Sequence, residues 1–185
     1  MAEIVLSQEE IATAVKRIGA ALTKDLKDEK KPPVFLCVMK GALPFYSDLI
    51  KCVERDIICD YVQLSSYEGG LSTTGNVRLQ RECQTDLTGR TVVIVDDVVD
   101  SGLSMQFMVN YINEKYAAKR VLVCALFDKP NSRISNVKVD YCGKILEEPK
   151  FLVGYGLDYK QLLRNVPYVY VLEPEDVAKY DAIED

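Results

Sequence analysis

The order of apolar and polar positions divides the chain into alternating elements. SQEEIATAVKRIGAALTKDL, residues 7–26, places Ile11, Val15, Ile18 and Leu22 at helical intervals, and Ser7 and Glu10 have capping-box spacing. The pattern predicts an amphipathic helix. PPVFLCVM (32–39) is a short apolar run opened by prolines, which predicts a buried strand, and GALPFYSDLIKCV (41–53) suggests the helix that follows. DIICDYVQLSSY (56–67) is rich in β-branched and aromatic residues and predicts a second strand. EGGLSTTGN (68–76) has the composition of a flexible loop, joining strand-like VRLQREC (77–83) in a long hairpin. TVVIVDD (91–97) and KRVLVCALFD (119–128) predict further strands, separated by a helix over 103–116. VKVDYCG (137–143), FLVGYG (151–156) and YVYVLE (168–173) predict short strands near the end.

Strands that alternate with helices and are apolar almost throughout predict an α/β fold, a mostly parallel twisted sheet flanked by helices. Such sheets bind ligands beyond the carboxyl ends of their strands, near the point where strand order reverses. The strand-to-loop junctions are therefore where chemistry is expected.

Composition narrows the classes. The 185 residues suit one domain with a sizeable core. No apolar run approaches the roughly 20 residues of a membrane span, and the acidic opening MAEIVLSQEE does not read as a secretory signal. A net charge of -5 argues against a non-specific nucleic-acid binder. The six cysteines form neither a CxxC nor a metal-ligand spacing, so reduced thiols in a cytoplasmic protein are expected. There is no histidine. Serine and cysteine triads built on histidine are excluded with it, and acid–base work falls to Asp, Glu, Lys, Tyr or Cys.

The junction with the most chemistry is VVIVDDVVDSGLS, residues 92–104. Asp96 and Asp97 close a predicted strand, where carboxylates suit sugar hydroxyls, suit a divalent cation, or simply end the strand. Asp100 stands at the lip of the following turn, as a helix cap or as a functional carboxylate. Ser101, Gly102, Leu103 and Ser104 then lead into a helix N-terminus, where backbone amides and the helix dipole favour a phosphate.

This stretch resembles the binding signature for 5-phosphoribosyl 1-diphosphate in type I phosphoribosyltransferases, with Asp-Asp where Glu-Asp is common. The resemblance implies that Asp96 and Asp97 hold the ribose, that Ser101–Ser104 hold the 5′-phosphate, and that Asp100 is the catalytic base. Four other segments, in family order, are similar to the 6-oxopurine branch, the hypoxanthine-guanine phosphoribosyltransferases. MKGA (39–42) resembles the diphosphate-binding loop, with Lys40 and Gly41 matching, Ala42 in place of a usual second glycine, and a strained peptide before Lys40. SSYEGGLSTTGNV resembles a mobile lid over about 66–78, in which Ser66 and Tyr67 close over the reacting centre. LFDKP (126–130) resembles the purine-recognition strand end, and implies that Lys129 donates to the exocyclic oxygen of a 6-oxopurine and that Arg133 reaches diphosphate. A purely donating ammonium also disfavours an amino group at that position. FLVGYGLDY (151–159) with KQLLRN implies stacking of the purine on Phe151, with Leu152 and Val153 at its edge. It further implies Asp158 beside the purine and a magnesium ion, and Arg164 on diphosphate.

The expected protein is thus a purine-salvage transferase, with a small hood formed by its terminal segments. Its expected cofactor is Mg2+, held by Asp158 and by Asp96 and Asp97 directly or through water. The expected partners are a 6-oxopurine and 5-phosphoribosyl 1-diphosphate, without nucleic acid or membrane, in a homodimer or homotetramer. Competing readings are a sister transferase for xanthine, adenine or orotate, and an RNA-binding regulator on the same fold.

Overall fold

The structure, a computed structural model, describes residues 3–66 and 77–183. The chain runs β1 (Ile4–Leu6), α1 (Gln8–Leu26), β2 (Val34–Met39), α2 (Leu43–Ile50), β3 (Ile58–Ser66), β4 (Val77–Arg81), β5 (Thr91–Val99), α3 (Leu103–Lys115), β6 (Arg120–Asp128), β7 (Tyr141–Ile145), β8 (Leu152–Val153), β9 (Val169–Val171) and α4 (Pro174–Asp181). A 3-10 turn, Pro130–Ser132, follows β6.

Six strands form the main sheet in the order β4-β3-β2-β5-β6-β7. Every pair is parallel except β3 and β4, which run antiparallel as the hairpin pattern predicts. The central strands read as continuous apolar runs because both faces are covered. Along β2, Phe35 and Cys37 enter one core with Ile18, Leu22, Phe45 and Leu49 of α1 and α2. Val34, Leu36 and Val38 enter the other, with Met105, Met108 and Ile112 of α3. Period-two alternation thus divides the residues between two apolar faces.

α1 starts where the capping box predicts. The Glu10 amide donates to Ser7 Oγ at 3.2 Å, and the Ser7 amide donates to Glu10 Oε2 at 2.8 Å. The capping box satisfies donors that a helix start otherwise leaves unpaired.

The terminal segments form a second, three-stranded sheet in the order β1-β9-β8, both pairings antiparallel. Val5, Leu6, Leu152 and Val169 join the core on the α1 and α2 side, so this hood is continuous with that half of the interior.

Several boundaries differ from the sequence pattern. Residues 137–140 are not strand; Asp140 instead receives the Val123 amide on its carboxylate at 2.9 Å. β8 stops after two residues because Gly154 turns at φ +96° and its amide donates to Leu157 O. β5 continues two residues past Asp97. β1 and α4 were not anticipated, and α4 buries no residue, so it offers no apolar stripe to detect.

The strand order places one topological switch. β2 passes through α2 to β3 on one side, whereas β5 passes through α3 to β6 on the other. The carboxyl ends of β2 and β5 therefore flank the crevice where this architecture binds ligands.

Candidate active site

At the switch, the loop after β2 meets the end of β5. Lys40 follows a cis peptide from Met39. Gly41 is packed so closely that a methyl group there would lie 1.9 Å from Asp97 Oδ2. Gly156, at φ +100°, approaches from the other side, and a methyl on it would lie 2.0 Å from Gly41 O. Ala42 has φ -69° and ψ -11°, an ordinary helical conformation at the start of α2, so a side chain in place of a second glycine costs nothing.

Asp96 and Asp97 turn onto neighbouring backbone, accepting the Asp97 amide at 3.0 Å and the Val98 amide at 2.9 Å. Asp96 is only 9% exposed. Burial, then the adjacent Asp97 charge, pushes Asp96 well above the ordinary carboxylate range. Burial raises Asp97 too, opposed by its hydrogen bonds and by the field of Arg164. A buried acid beside a half-buried one calls for hydroxyl donors or positive charge. Beneath them the Cys37 thiol is pushed up to about 12, first by burial and then by the two aspartates, so it supplies no thiolate nucleophile.

The turn after β5 is held from behind. Gly102 stands at the N-cap of α3 with φ 78°, and a methyl there would lie 2.3 Å from Ser135 Oγ. Only glycine suits that conformation in that space. The Leu103 amide lies 3.4 Å from Ser101 Oγ, and Ser104 occupies the first turn of α3. The Lys129 amide donates to Val99 O and the Ile134 amide to Ser101 O.

Arg133 departs from its expected place. Its Nε donates to Asp100 O at 3.1 Å, Nη1 to Val137 O at 2.9 Å, and Nη2 to Val99 O at 3.2 Å and to the Asp128 carboxylate. A guanidinium has five donors, and four are committed to the turn and its surroundings. Arg133 clamps the turn, with one of its N–H donors outside these contacts.

Three groups of the expected purine region converge. Lys129 Nζ donates to Asp100 Oδ2 at 3.2 Å and to Lys150 O at 3.1 Å, the carbonyl preceding Phe151. Phe151 is 53% exposed, and Tyr159 meets it edge-on with ring centroids 5.9 Å apart. Leu152 and Val153 are buried in β8, beside β9. Tyr159 donates its hydroxyl to Asp181 Oδ1 at 2.7 Å, which ties α4 to this loop.

Asp158 pairs with Arg164 Nη2 at 2.7 Å and accepts the Gln161 amide at 2.8 Å. Arg164 Nη1 donates to Gly156 O at 2.7 Å. Gln161 Oε1 accepts from Lys40 Nζ at 3.2 Å and Arg164 Nη2 at 3.3 Å. Lys40, Gly41 and Arg164 thus share one corner, with Asp97 against the Gly41 backbone. Gln161, Tyr159 and Gly156 were missed as neighbours of these residues, because the contacts that bring them in, with Lys40, Asp181 and Gly41, come from segments far away in sequence. Ser66 ends β3, and Tyr67 with the expected lid residues 67–76 lies outside the described residues.

Among the described residues no group of three or more Cys, Asp or Glu side chains forms a metal cage. The candidate oxygen donors come from two segments, Asp96 and Asp97 from β5 and Asp158 from the loop after β8. An all-oxygen, incomplete set suits a hard cation that keeps water and substrate oxygens, as magnesium does.

The described residues include no helix long and apolar enough to cross a membrane. The model of the phosphoribosyl transferase domain matches residues 1–160. The hypoxanthine-guanine phosphoribosyltransferase of Streptococcus thermophilus is 38% identical over 174 residues, covering 94% of each chain. That of Bacillus subtilis is 38% identical over 173 residues, covering 93% of each. A crystal structure of a hypoxanthine phosphoribosyltransferase from Staphylococcus aureus superposes with TM-score 0.87 at 35% identity, covering 94% of this chain and 92% of the other. With the Asp96–Asp97 pair, the turn into α3 and Lys129 all at the carboxyl ends of β5 and β6, the chain belongs to the phosphoribosyltransferases, in their hypoxanthine-guanine branch.

Proposed function

We propose that this protein transfers the 5-phosphoribosyl group of 5-phosphoribosyl 1-diphosphate to a ring nitrogen of hypoxanthine or guanine, forming IMP or GMP and diphosphate. The observation that carries this reading is the Asp100–Lys129 pair beside the carbonyl before Phe151. It sets a carboxylate and a buried cation next to an exposed aromatic face, one turn from an open helix N-terminus.

In this reading the amides at the start of α3, with the Ser101 and Ser104 hydroxyls, bind the 5′-phosphate. Asp96 and Asp97 accept hydrogen bonds from the ribose hydroxyls, which offsets the cost of burying the two acids. Phe151 stacks on the purine, with Leu152 and Val153 at its edge, and Lys129 donates to the 6-oxygen. Asp100 takes the ring proton as nitrogen attacks the anomeric carbon. Lys40, the Gly41 amide and Arg164 stabilise the negative charge that gathers on departing diphosphate. Arg133 acts indirectly, by keeping the turn in shape. Magnesium, when bound near Asp158 and the Asp96–Asp97 pair, supplies charge neutralisation to the leaving group.

The six free thiols fit a reducing cytoplasm. A homodimer or homotetramer is the assembly that family resemblance supports, and sedimentation tests it.

The direct test is a spectrophotometric assay with the phosphoribosyl donor and magnesium, run in parallel on hypoxanthine, guanine, xanthine and adenine. Turnover of a 6-oxopurine and none of adenine is expected; adenine as the preferred base overturns the reading. Lys129→Ala is expected to weaken purine binding roughly tenfold or more while changing donor binding little, because it removes a charged donor. Calorimetry showing equal losses for both ligands refutes the Lys129 assignment.

A further inference from the structure

We infer that Gln161 is a positioning residue for the diphosphate end of the site, holding Lys40 and Arg164 side by side. The inference rests on the proposed placing of diphosphate against those two cations.

Lys40 and Arg164 come from separate loops, one after β2 and one after β8. Like charges on two flexible side chains repel one another and swing apart in water. Here both donate to one atom, Gln161 Oε1, at 3.2 Å and 3.3 Å. An amide oxygen has two lone pairs and no net charge. It therefore holds two cations together without contributing negative charge where an anion is to bind.

Gln161 is itself held in place. Its amide donates to Asp158 Oδ2 at 2.8 Å, and the other oxygen of that carboxylate pairs with Arg164. Its backbone lies at φ 68°, between Lys160 at φ 50° and Leu163 at φ 72°. Side chains other than glycine rarely adopt that region, and such conformations persist where surrounding contacts over-determine them. The two loops also meet in their backbones, where Gly156 packs on Gly41 O. Arg164 Nε is buried without a hydrogen-bond partner, so the guanidinium retains a donor beyond its present contacts.

The arrangement thus runs Asp158, Arg164, Gln161, Lys40, with one formal negative charge against two positive ones. Within that run two cations are already gathered before an anion arrives, with Asp97 beyond it against Gly41. The geometry assigns Gln161 to this preorganisation and not to the purine, since its contacts lie on the Lys40 side of the crevice.

The test uses the full chain with magnesium, comparing Gln161→Met and Gln161→Glu with the unsubstituted protein. Methionine preserves length and removes the acceptor; glutamate preserves an acceptor and adds a charge. Inorganic diphosphate affinity is measured by calorimetry, and KM for donor and purine by steady-state kinetics. Gln161→Met is expected to raise the diphosphate Kd and donor KM roughly 10–150-fold, the range for losing hydrogen bonds to charged groups, with purine KM within twofold. Gln161→Glu is expected to weaken diphosphate as well, because a carboxylate now opposes the anion. Unchanged diphosphate and donor values in Gln161→Met overturn the inference, as does an equal loss for the purine or diphosphate binding by Gln161→Glu as tight as in the parent. Lys40→Met and Arg164→Met separate the two levels. If neither weakens diphosphate, the underlying placing fails; if both do and Gln161→Met does not, only the role of Gln161 fails.

Discussion

Two glycines at the switch point differ in what a methyl group would strike. At Gly41 it meets the end of the Asp97 side chain, which can rotate away, whereas at Gly156 it meets the Gly41 carbonyl, which cannot. Gly41→Ala is therefore expected to leave thermal stability nearly intact while lowering turnover about 10²-fold, the cost of misplacing a site group by an ångström. Gly156→Ala, strained at positive φ and against backbone, is expected to lower Tm as well. Melting curves beside steady-state kinetics distinguish the two, and a Gly41→Ala protein with parental turnover removes Asp97 from the ribose site. Asp100→Asn keeps the shape of the turn, whose Asp100 contact with Arg133 is through a backbone carbonyl. It is expected to reduce turnover by roughly 10²–10⁴ with donor affinity within a few-fold; undiminished turnover at saturation would falsify its role as base. Arg133 shows where residue-level reading stops. Its position in the sequence points toward diphosphate, but four long-range or loop carbonyl and carboxylate acceptors decide where the guanidinium goes, and no local pattern reports them.

Among the elements, α1 is tied to the sheet at the end opposite the site. Glu29, just beyond α1, accepts Thr91 Oγ1 at 2.7 Å at the start of β5 and Lys119 Nζ at 2.6 Å before β6. Asp25 accepts from Tyr141 at 2.7 Å and Arg120 at 2.9 Å, joining β7 and β6 to the same helix. The hydrogen bond from Lys119, then that from Thr91, holds Glu29 below its ordinary value of 4.5 despite the opposing effect of burial. A carboxylate with a lower pKa folded than unfolded stabilises the fold above its unfolded value, and that contribution disappears as pH falls through the folded one. Between pH 6 and pH 3 the parental Tm is expected to fall further than that of Glu29→Gln, and at pH 6 the variant should be the less stable of the two. Parallel melting profiles across that range would exclude Glu29 from the acid response.

For the molecule as a whole, legibility followed burial. β2, β5 and β6 were plain in the sequence because both faces of each are packed, so their apolar runs are unbroken. α1 was plain because one stripe is buried and its capping box is local. The small sheet was harder: β1 has three residues and β8 two, too few for a period to emerge. α4 carries no buried side chain, and it meets the loop through the carboxylate of Asp181, which accepts from Tyr159 and pairs with Lys160. The turn after β5 was visible as a contiguous motif, whereas the Lys40–Gln161–Arg164 corner exists only when the two loops fold together. The small sheet also sets an order in time. Among the described residues β1 pairs only with β9, so it waits for a partner made about 165 residues later, on the order of ten seconds at ordinary synthesis rates. The strands around the turn after β5 need no such wait, because β2, β5 and β6 neighbour one another within the earlier part of the chain. A nascent chain can therefore shape the turn proposed to hold the sugar phosphate while the wall that carries Phe151 is still being made.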